Sequence, residues 1–420
     1  MDKRTFLKNA GLMSVALPLN FIHLQQVVAS VRNLDPLEVA GDEDFWTQVR
    51  ADYDIKPDYI NLENGYYCFM PRQTMDHLVE HMRNVNYEGS YYMRTVQWEN
   101  KDKVANKVAE IVGCSGDEVA ITRNTTESLD LVIGGIDWQA GDEAVMAEQD
   151  YGSMLNHFKL VERRFGVVNK LVSIPNHPGD DAEIVDLYAA ALTDKTRLLM
   201  VCHMINITGQ ILPIRKITDM AHARGVEVMV DGAHTFSHID FKMADLDCDY
   251  YGTSLHKWLS APLGSGMLYV KKEKIDQIWP LLAERDLGDN DMHRLNHIGT
   301  HPVHTDLAIL NAIEYQNTLG LARKEARLRY LQHYWTSRVR DLPRIVVNTP
   351  AQLSRHAGIG NVGIEGIEPA EFAEMLMKKH RIFTVAIDRP GVRGLRITPN
   401  VYTTTAELDS FIGAIKDLSA

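Results

Sequence analysis

Lys257 stands in the stretch DYYGTSLHKWLSAPLGSG, residues 249–266, with Ser254 and His256 beside it. A lysine taken alone reads as a solvated surface group. At the end of an apolar strand, followed by small residues that cannot shield it, the same amine reads as a nucleophile or base whose charge is disfavoured by burial. Asp231, 26 residues earlier, closes another apolar run, VEVMVD, and is followed by Gly232-Ala233-His234. A carboxylate in that place must find a cation or hydrogen-bond donors, because unpaired burial costs on the order of several kcal/mol; a helix cap or a core arginine would satisfy it equally well. After EVAITR comes Asn124-Thr125-Thr126-Glu127, directly before an apolar helical pattern. Free backbone N–H groups and hydroxyls there form an anion cradle, or an ordinary N-cap with Glu127 favouring the helix dipole. After RLLMVCHM comes Asn206, as readily a turn residue as a ligand contact.

An amine, a buried carboxylate and an anion cradle on one rim have a joint meaning. Pyridoxal 5′-phosphate (PLP) needs an amine to condense with its aldehyde, a carboxylate to keep its pyridine nitrogen protonated, and an anchor for its phosphate. An acid against the ring nitrogen raises that nitrogen's pKa by opposite charge in a low dielectric. Lys257 and Asp231 are therefore the expected catalytic pair, and PLP the expected cofactor.

These groups need elements to hold them. Between about residues 100 and 270, short β-rich runs (118–123, 143–148, 167–174, 197–203, 226–231 and 249–254) alternate with helical stretches such as GSMLNHFKLVERRF and IRKITDMAHARG. That alternation predicts an α/β fold with a mostly parallel central sheet covered on both faces, which binds ligands beyond the carboxyl ends of its strands. After residue 300 the pattern changes to helices at 303–318 and 321–340, strands at 344–348, 360–364, 382–386 and 394–398, and a final helix near 405–418: a smaller α+β domain. The expected division is a leader at 1–30, a segment at 31–65 packing on the small domain, a large cofactor domain at 66–302 and a small domain at 303–420.

Composition narrows the partners. The 420-residue chain carries a formal net charge of −12, which argues against nucleic acid, since phosphate neutralisation needs surplus Lys and Arg. Its 4 cysteines form no CxxC and its 17 histidines no HExxH, so neither a metal site nor a disulfide framework is expected. The opening MDKRTFLKNAGLMSVALPLN has a basic start and an apolar run too short and polar to span a bilayer. KRTFLK resembles the twin-arginine export signal with Lys3 in place of the first arginine, so a periplasmic location is expected, with a cytoplasmic one as the alternative.

Over roughly residues 60–415 the chain resembles the class V aminotransferases of PLP fold type I, the group that includes cysteine desulfurases, kynureninases and isopenicillin N epimerase-like proteins. The resemblance is carried in order by ITRNTTESLDLV, GDEAVMAEQDYGS, CHMINITGQILPI, VDGAHTFSHID, DCDYYGTSLHKWLSAPLGSGMLYV and GLRITPNVYTTTAEL. It implies that Thr125, Thr126, Ser254 and His256 bind the phosphate and that Tyr151 lies over the pyridine face. It also implies that Asn206 and His234 serve the phenolic oxygen, that Asp231 meets the ring nitrogen and that Lys257 holds the aldehyde carbon. Thr300, in HIGTHP, matches a position that reaches the phosphate of the opposite protomer, so a homodimer with sites at its interface is implied. Arg396, in GLRIT, matches the arginine that forks onto the substrate carboxylate, and Arg94 and Asn64 are further candidates for the substrate pocket. Desulfurases carry a nucleophilic cysteine shortly before that arginine; here residues 384–394 read TVAIDRPGVRG, which leaves persulfide chemistry without its nucleophile. The expected activity is that of a PLP-dependent aminotransferase acting on an amino-acid-like small molecule. Epimerisation or β-elimination are the alternatives, and a PLP-binding descendant without turnover is the non-enzymatic one.

Overall fold

The computed structural model describes residues 21–282 and 287–419. The residues that carry the export motif, 1–20, lie outside the described residues. The first strand, β1 (Ile60–Asn61), belongs to a minor sheet. The main sheet follows with β2 (Val119–Thr122), β3 (Glu143–Ala147), β4 (Val168–Val172), β5 (Thr196–Cys202), β6 (Glu227–Asp231), β7 (Tyr250–Ser254) and β8 (Gly266–Val270).

Its seven strands lie in the order β2-β8-β7-β6-β5-β3-β4. The pairs β3–β4, β3–β5, β5–β6 and β6–β7 are parallel, whereas β8 runs antiparallel to both neighbours. Apart from the edge strand β4, where Val168 and Leu171 are exposed, the strands are buried on both faces, and alternate side chains feed opposite cores, as a period of two requires. In β5, Leu199 and Val201 join Ile184 and Ile217 from the helices Asp181–Ala191 and Ile214–His222. Leu198 and Met200 point the other way, into a cluster with Val132 and Phe158 from the helices Thr125–Gly135 and Gly152–Phe165. Strand β8 has no counterpart in the sequence reading. Its five-residue run GMLYV follows a Gly-rich turn and is too short for periodicity to separate from loop.

Register levels the strand ends that carry the polar groups. Cys202 pairs with Asp231 and Asp231 with Gly252, while Gly266 lies between Thr122 and Ser254. Gly266 is needed there: a Cβ would sit 2.6 Å from the backbone nitrogen of Asn124, where the chain turns into the next helix.

The smaller unit contains β9 (Ile345–Val347), β10 (Gly360–Ile364), β11 (Ile382–Phe383), β12 (Val385–Arg389) and β13 (Val392–Ile397). Strands β12-β13-β10-β9 form an antiparallel sheet, and β1 pairs in parallel with β11, Ile60 opposite Ile382. Two boundaries differ from those expected. The helix His304–Leu319 buries Ile309, Ala312 and Ile313 in the large core, and the small core begins with Leu331, Trp335 and Val339 on the helix Leu321–Val339. Before residue 60, Val39, Phe45, Trp46 and Val49 join the large core, while Arg50 pairs with Glu407 and the Thr405 N–H donates to Glu43, so the N-terminal segment packs on both units, with Ile60 and Leu62 in the small core. Leu24 and Val27, on the helix Phe21–Ser30, are buried in the large core as well.

Candidate active site

A cavity of about 280 Å³ opens where β5, β6 and β7 end, closed from the small domain by Arg396 and from the N-terminal segment by Gly65 and Tyr66. Lys257, Asp231, Thr125, Thr126, Tyr151, Asn206, His234, Ser254 and His256 all line it. A larger hollow, about 640 Å³, runs along Lys101, Asp102, Asp291 and His293, but it contains none of these groups.

The anion cradle is the start of the helix Thr125–Gly135. Asn124 caps it by accepting from the Glu127 N–H (2.9 Å). Thr125 meets Ser254 twice, through its hydroxyl (2.7 Å) and through its N–H donating to Ser254 Oγ (2.9 Å), so the end of β7 and the helix start act as one piece. His256 donates from Nδ1 to the Ser265 carbonyl (3.1 Å), which leaves Nε2 for the cavity. Burial, reinforced by the Lys257 charge, pushes its pKa down to about 4.

Asp231 is 3% exposed; its Oδ1 accepts from the Ala233 N–H (3.0 Å), and Oδ2 remains for a donor in the cavity. Burial raises its pKa, opposed by the Ala233 bond and the Lys257 charge. Burial lowers Lys257 to about 8, with Asp231 opposing the shift and Arg396 adding to it. Lys257 Nζ lies 3.2 Å from His234 Nε2, and the Trp258 indole N–H donates to His234 Nδ1 at 3.2 Å. An indole can only donate, so Nδ1 accepts and the imidazole proton sits on Nε2. That proton then points at Lys257, which can accept it only in the neutral form that burial favours. His234 itself is held far below the ordinary histidine range, by burial first and then by the Lys257 and Arg396 charges.

Neither expected substrate contact of the N-terminal half lies on the cavity. Asn64 is fully buried, its amide donating to the Thr398 carbonyl (2.7 Å) and accepting from the Tyr402 hydroxyl (2.7 Å); both ends of the side chain are committed to structure. Arg94 is exposed on the short helix Ser90–Thr95, and Thr300 is exposed between Gly299 and His301; neither lines the cavity of its own chain.

Four residues escaped the sequence reading. Trp258 orients His234. Glu63 pairs with Arg396, its Oε2 accepting from Nε at 3.1 Å and its Oε1 from Nη2. Gly65 lets that guanidinium lie against the backbone, since a Cβ would stand 2.8 Å from Arg396 Cζ. Asp150, just before Tyr151, is 6% exposed; burial raises it to about 8, and the Asp231 charge adds to the shift. The acid in EQDYGS, directly after an apolar strand, was a local signal of the same kind as Asp231; the Glu63 pairing had none.

The donor set fits a flat anionic cofactor: hydroxyls and helix amides for a phosphate at one end, a carboxylate oxygen and an amine of lowered pKa at the other. It offers no cluster for a metal ion, and among the described residues no group of three or more His, Cys, Asp or Glu is arranged to hold one.

Comparison with known proteins agrees with this geometry. The aminotransferase class-V family model matches residues 69–393. Isopenicillin N epimerase of Streptomyces clavuligerus is 27% identical over 395 residues, covering 89% of this chain and 98% of that protein. A probable cysteine desulfurase of Synechocystis sp. is 26% identical over 407 residues, covering 88% and 94%. Among solved structures, the apo cysteine desulfurase of Thermococcus onnurineus NA1 has a TM-score of 0.76 at 22% identity, covering 88% of this chain and 97% of that one. The cystine C–S lyase C-DES, solved with its product cysteine persulfide, has a TM-score of 0.77 at 19% identity, covering 86% and 97%. At these identities the structural likeness speaks for the fold.

Proposed function

The chain belongs to the class V aminotransferase family, and from that premise we propose that it is a PLP-dependent enzyme that moves a proton at the α-carbon of an amino acid or an amino-acid-derived compound, with transamination as its outcome. The observation that carries this reading is the convergence of Lys257 and Asp231 on one cavity that ends in the Thr125–Ser254 cradle. Bound there, the cofactor would supply an electron sink for the electrons left when a Cα–H bond breaks.

The chain's own residues supply the rest. Thr125, Thr126, Ser254 and His256 would receive the phosphate, and Asp231 Oδ2 would hold the ring nitrogen's proton. Tyr151 offers a flat face for stacking. Lys257 Nζ, whose neutral form burial favours and which His234 orients, would bind the aldehyde and later take or return the proton at Cα. Asn206 and His234, which line the same cavity, would hydrogen-bond the ring oxygen. Thr300 is assigned to the neighbouring subunit's phosphate, which makes the working unit a homodimer.

Purified protein with PLP is expected to absorb near ~420 nm, a value from general cofactor chemistry, and borohydride is expected to fix the label on Lys257. Lys257→Ala is expected to abolish turnover with the fold intact, as read by circular dichroism. A label on another lysine, or full activity in the variant, would refute the reading. Epimerisation is the second reading, favoured because isopenicillin N epimerases are among the relatives, at 27% and 28% identity. An amino donor added alone separates the two. Transamination moves the absorption to ~330 nm. Epimerisation leaves it in place and washes solvent deuterium into Cα with the amine retained.

A further inference from the structure

The guanidinium of Arg396 is already engaged. It presents two parallel donors to the two oxygens of Glu63, the geometry a substrate carboxylate would need for itself. Both side chains are nearly buried, at 9% and 7% exposure. Glu63 is a fixed occupant rather than a passing one. Its Oε1 also accepts from the Tyr66 N–H (2.9 Å), its own N–H donates to Asn61 Oδ1 (3.3 Å), and its backbone bridges in parallel to Thr398, beside Arg396 on the same strand end. Gly65 closes the fork from the side. What Arg396 turns toward Asn206 is Nη1, which among the described residues makes only a weak contact there, to the Asn206 carbonyl at 3.5 Å.

A carboxylate entering this site meets a fork that is filled and electrically neutralised. To take it, the ligand must displace Glu63 and leave a buried carboxylate seeking another partner, a costly exchange. A neutral carbonyl asks for less: one hydrogen bond from Nη1, with the internal pair intact. Building on the cofactor reading above, we propose that Glu63 is a specificity-determining residue, a resident carboxylate in the Arg396 clamp that disfavours free α-carboxylates and favours amino compounds whose matching group is neutral, such as an amide or an ester.

The test compares glycine with glycinamide on the PLP-loaded enzyme, following the perturbation of the cofactor's visible band. Wild type is expected to bind glycinamide at least as tightly as glycine. Glu63→Gln keeps the shape of the pair and removes its charge, and is expected to tighten glycine about tenfold or more while moving glycinamide less than about twofold; that tenfold change corresponds to ~1.4 kcal/mol. An unchanged glycine Kd, or equal tightening of both ligands, would overturn the proposal. Should Glu63→Gln fail to fold, Glu63→Asp retracts the same charge by one methylene; glycine is expected to tighten about threefold, and an unmoved Kd there overturns the proposal as well. If wild type lacks the visible band, or borohydride labels a lysine other than Lys257, the cofactor reading fails instead, whatever Glu63 does.

Discussion

Lys257 draws its reactivity from where it stands. With its pKa at about 8, about one molecule in ten carries the neutral amine at pH 7, against fewer than about one in a thousand for a solvated lysine. The neutral form is the one that reacts, so PLP loading onto apoenzyme should speed up as pH rises and level off above about pH 8. Stopped-flow loading rates across pH check this; a rate still climbing tenfold per unit beyond pH 10 would contradict it. Trp258 sets the same quantity from a distance. Trp258→Phe removes the donor that pins His234 Nδ1, which lets the imidazole turn an acceptor toward Lys257 and favour the ammonium form. The midpoint of the loading profile should then move up by about one unit, and an unmoved midpoint would reduce Trp258 to a packing residue.

The elements hold these side chains through close approaches that only glycine permits. At Gly232, the residue after Asp231, a Cβ would stand 1.9 Å from the Tyr251 ring, itself fully buried and bonded to Thr235 (3.0 Å). A packed ring has nowhere to move, so Gly232→Ala should cost about 3 kcal/mol or more and appear as a clear drop in Tm. Gly65→Ala makes a contrast, because the atoms it meets belong to the end of a flexible arginine side chain. Its expected effect is a stability within about 1 kcal/mol of wild type, with a substrate KM raised severalfold as Arg396 is pushed aside. Denaturation curves and initial rates on the two variants distinguish a stability role from a positioning one.

At the scale of the whole molecule, Thr300 does not line the cavity of its own chain and is exposed. We propose that the partner subunit supplies this residue, and subunit mixing tests it. Lys257→Ala and Thr300→Asp chains, each inactive alone, should recover about a quarter of wild-type activity when mixed equally, because half the dimers are mixed and each holds one intact site. No recovery would place Thr300 in its own chain's site or outside any site. We also propose that the KRTFLK-bearing leader directs export and that any cleavage falls before Phe21, since Leu24 and Val27 are core residues. Fractionating cells that express the intact gene checks this; an uncleaved cytoplasmic product would refute it.

What was legible in the sequence is local. Apolar runs ending in Asp231, in Ser254, His256 and Lys257, or in Asn124-Thr125-Thr126 announce buried strands with chemistry at their ends, because a polar group at such a point must be satisfied or used. The alternation of those runs with helices determined the α/β fold and, through it, a common rim. Strand β8 and the domain edges were not legible, since five apolar residues carry no period and a helix does not declare which core it packs against. Only the tertiary structure decided the rest. Glu63 and Arg396 meet across 333 residues of chain, through the pairing of β1 with β11 beside them, and the same closure buries Asn64 as a strut. No spacing rule reaches that far: such contacts depend on how two cores are joined, and that joining placed a carboxylate in the clamp before any substrate arrives.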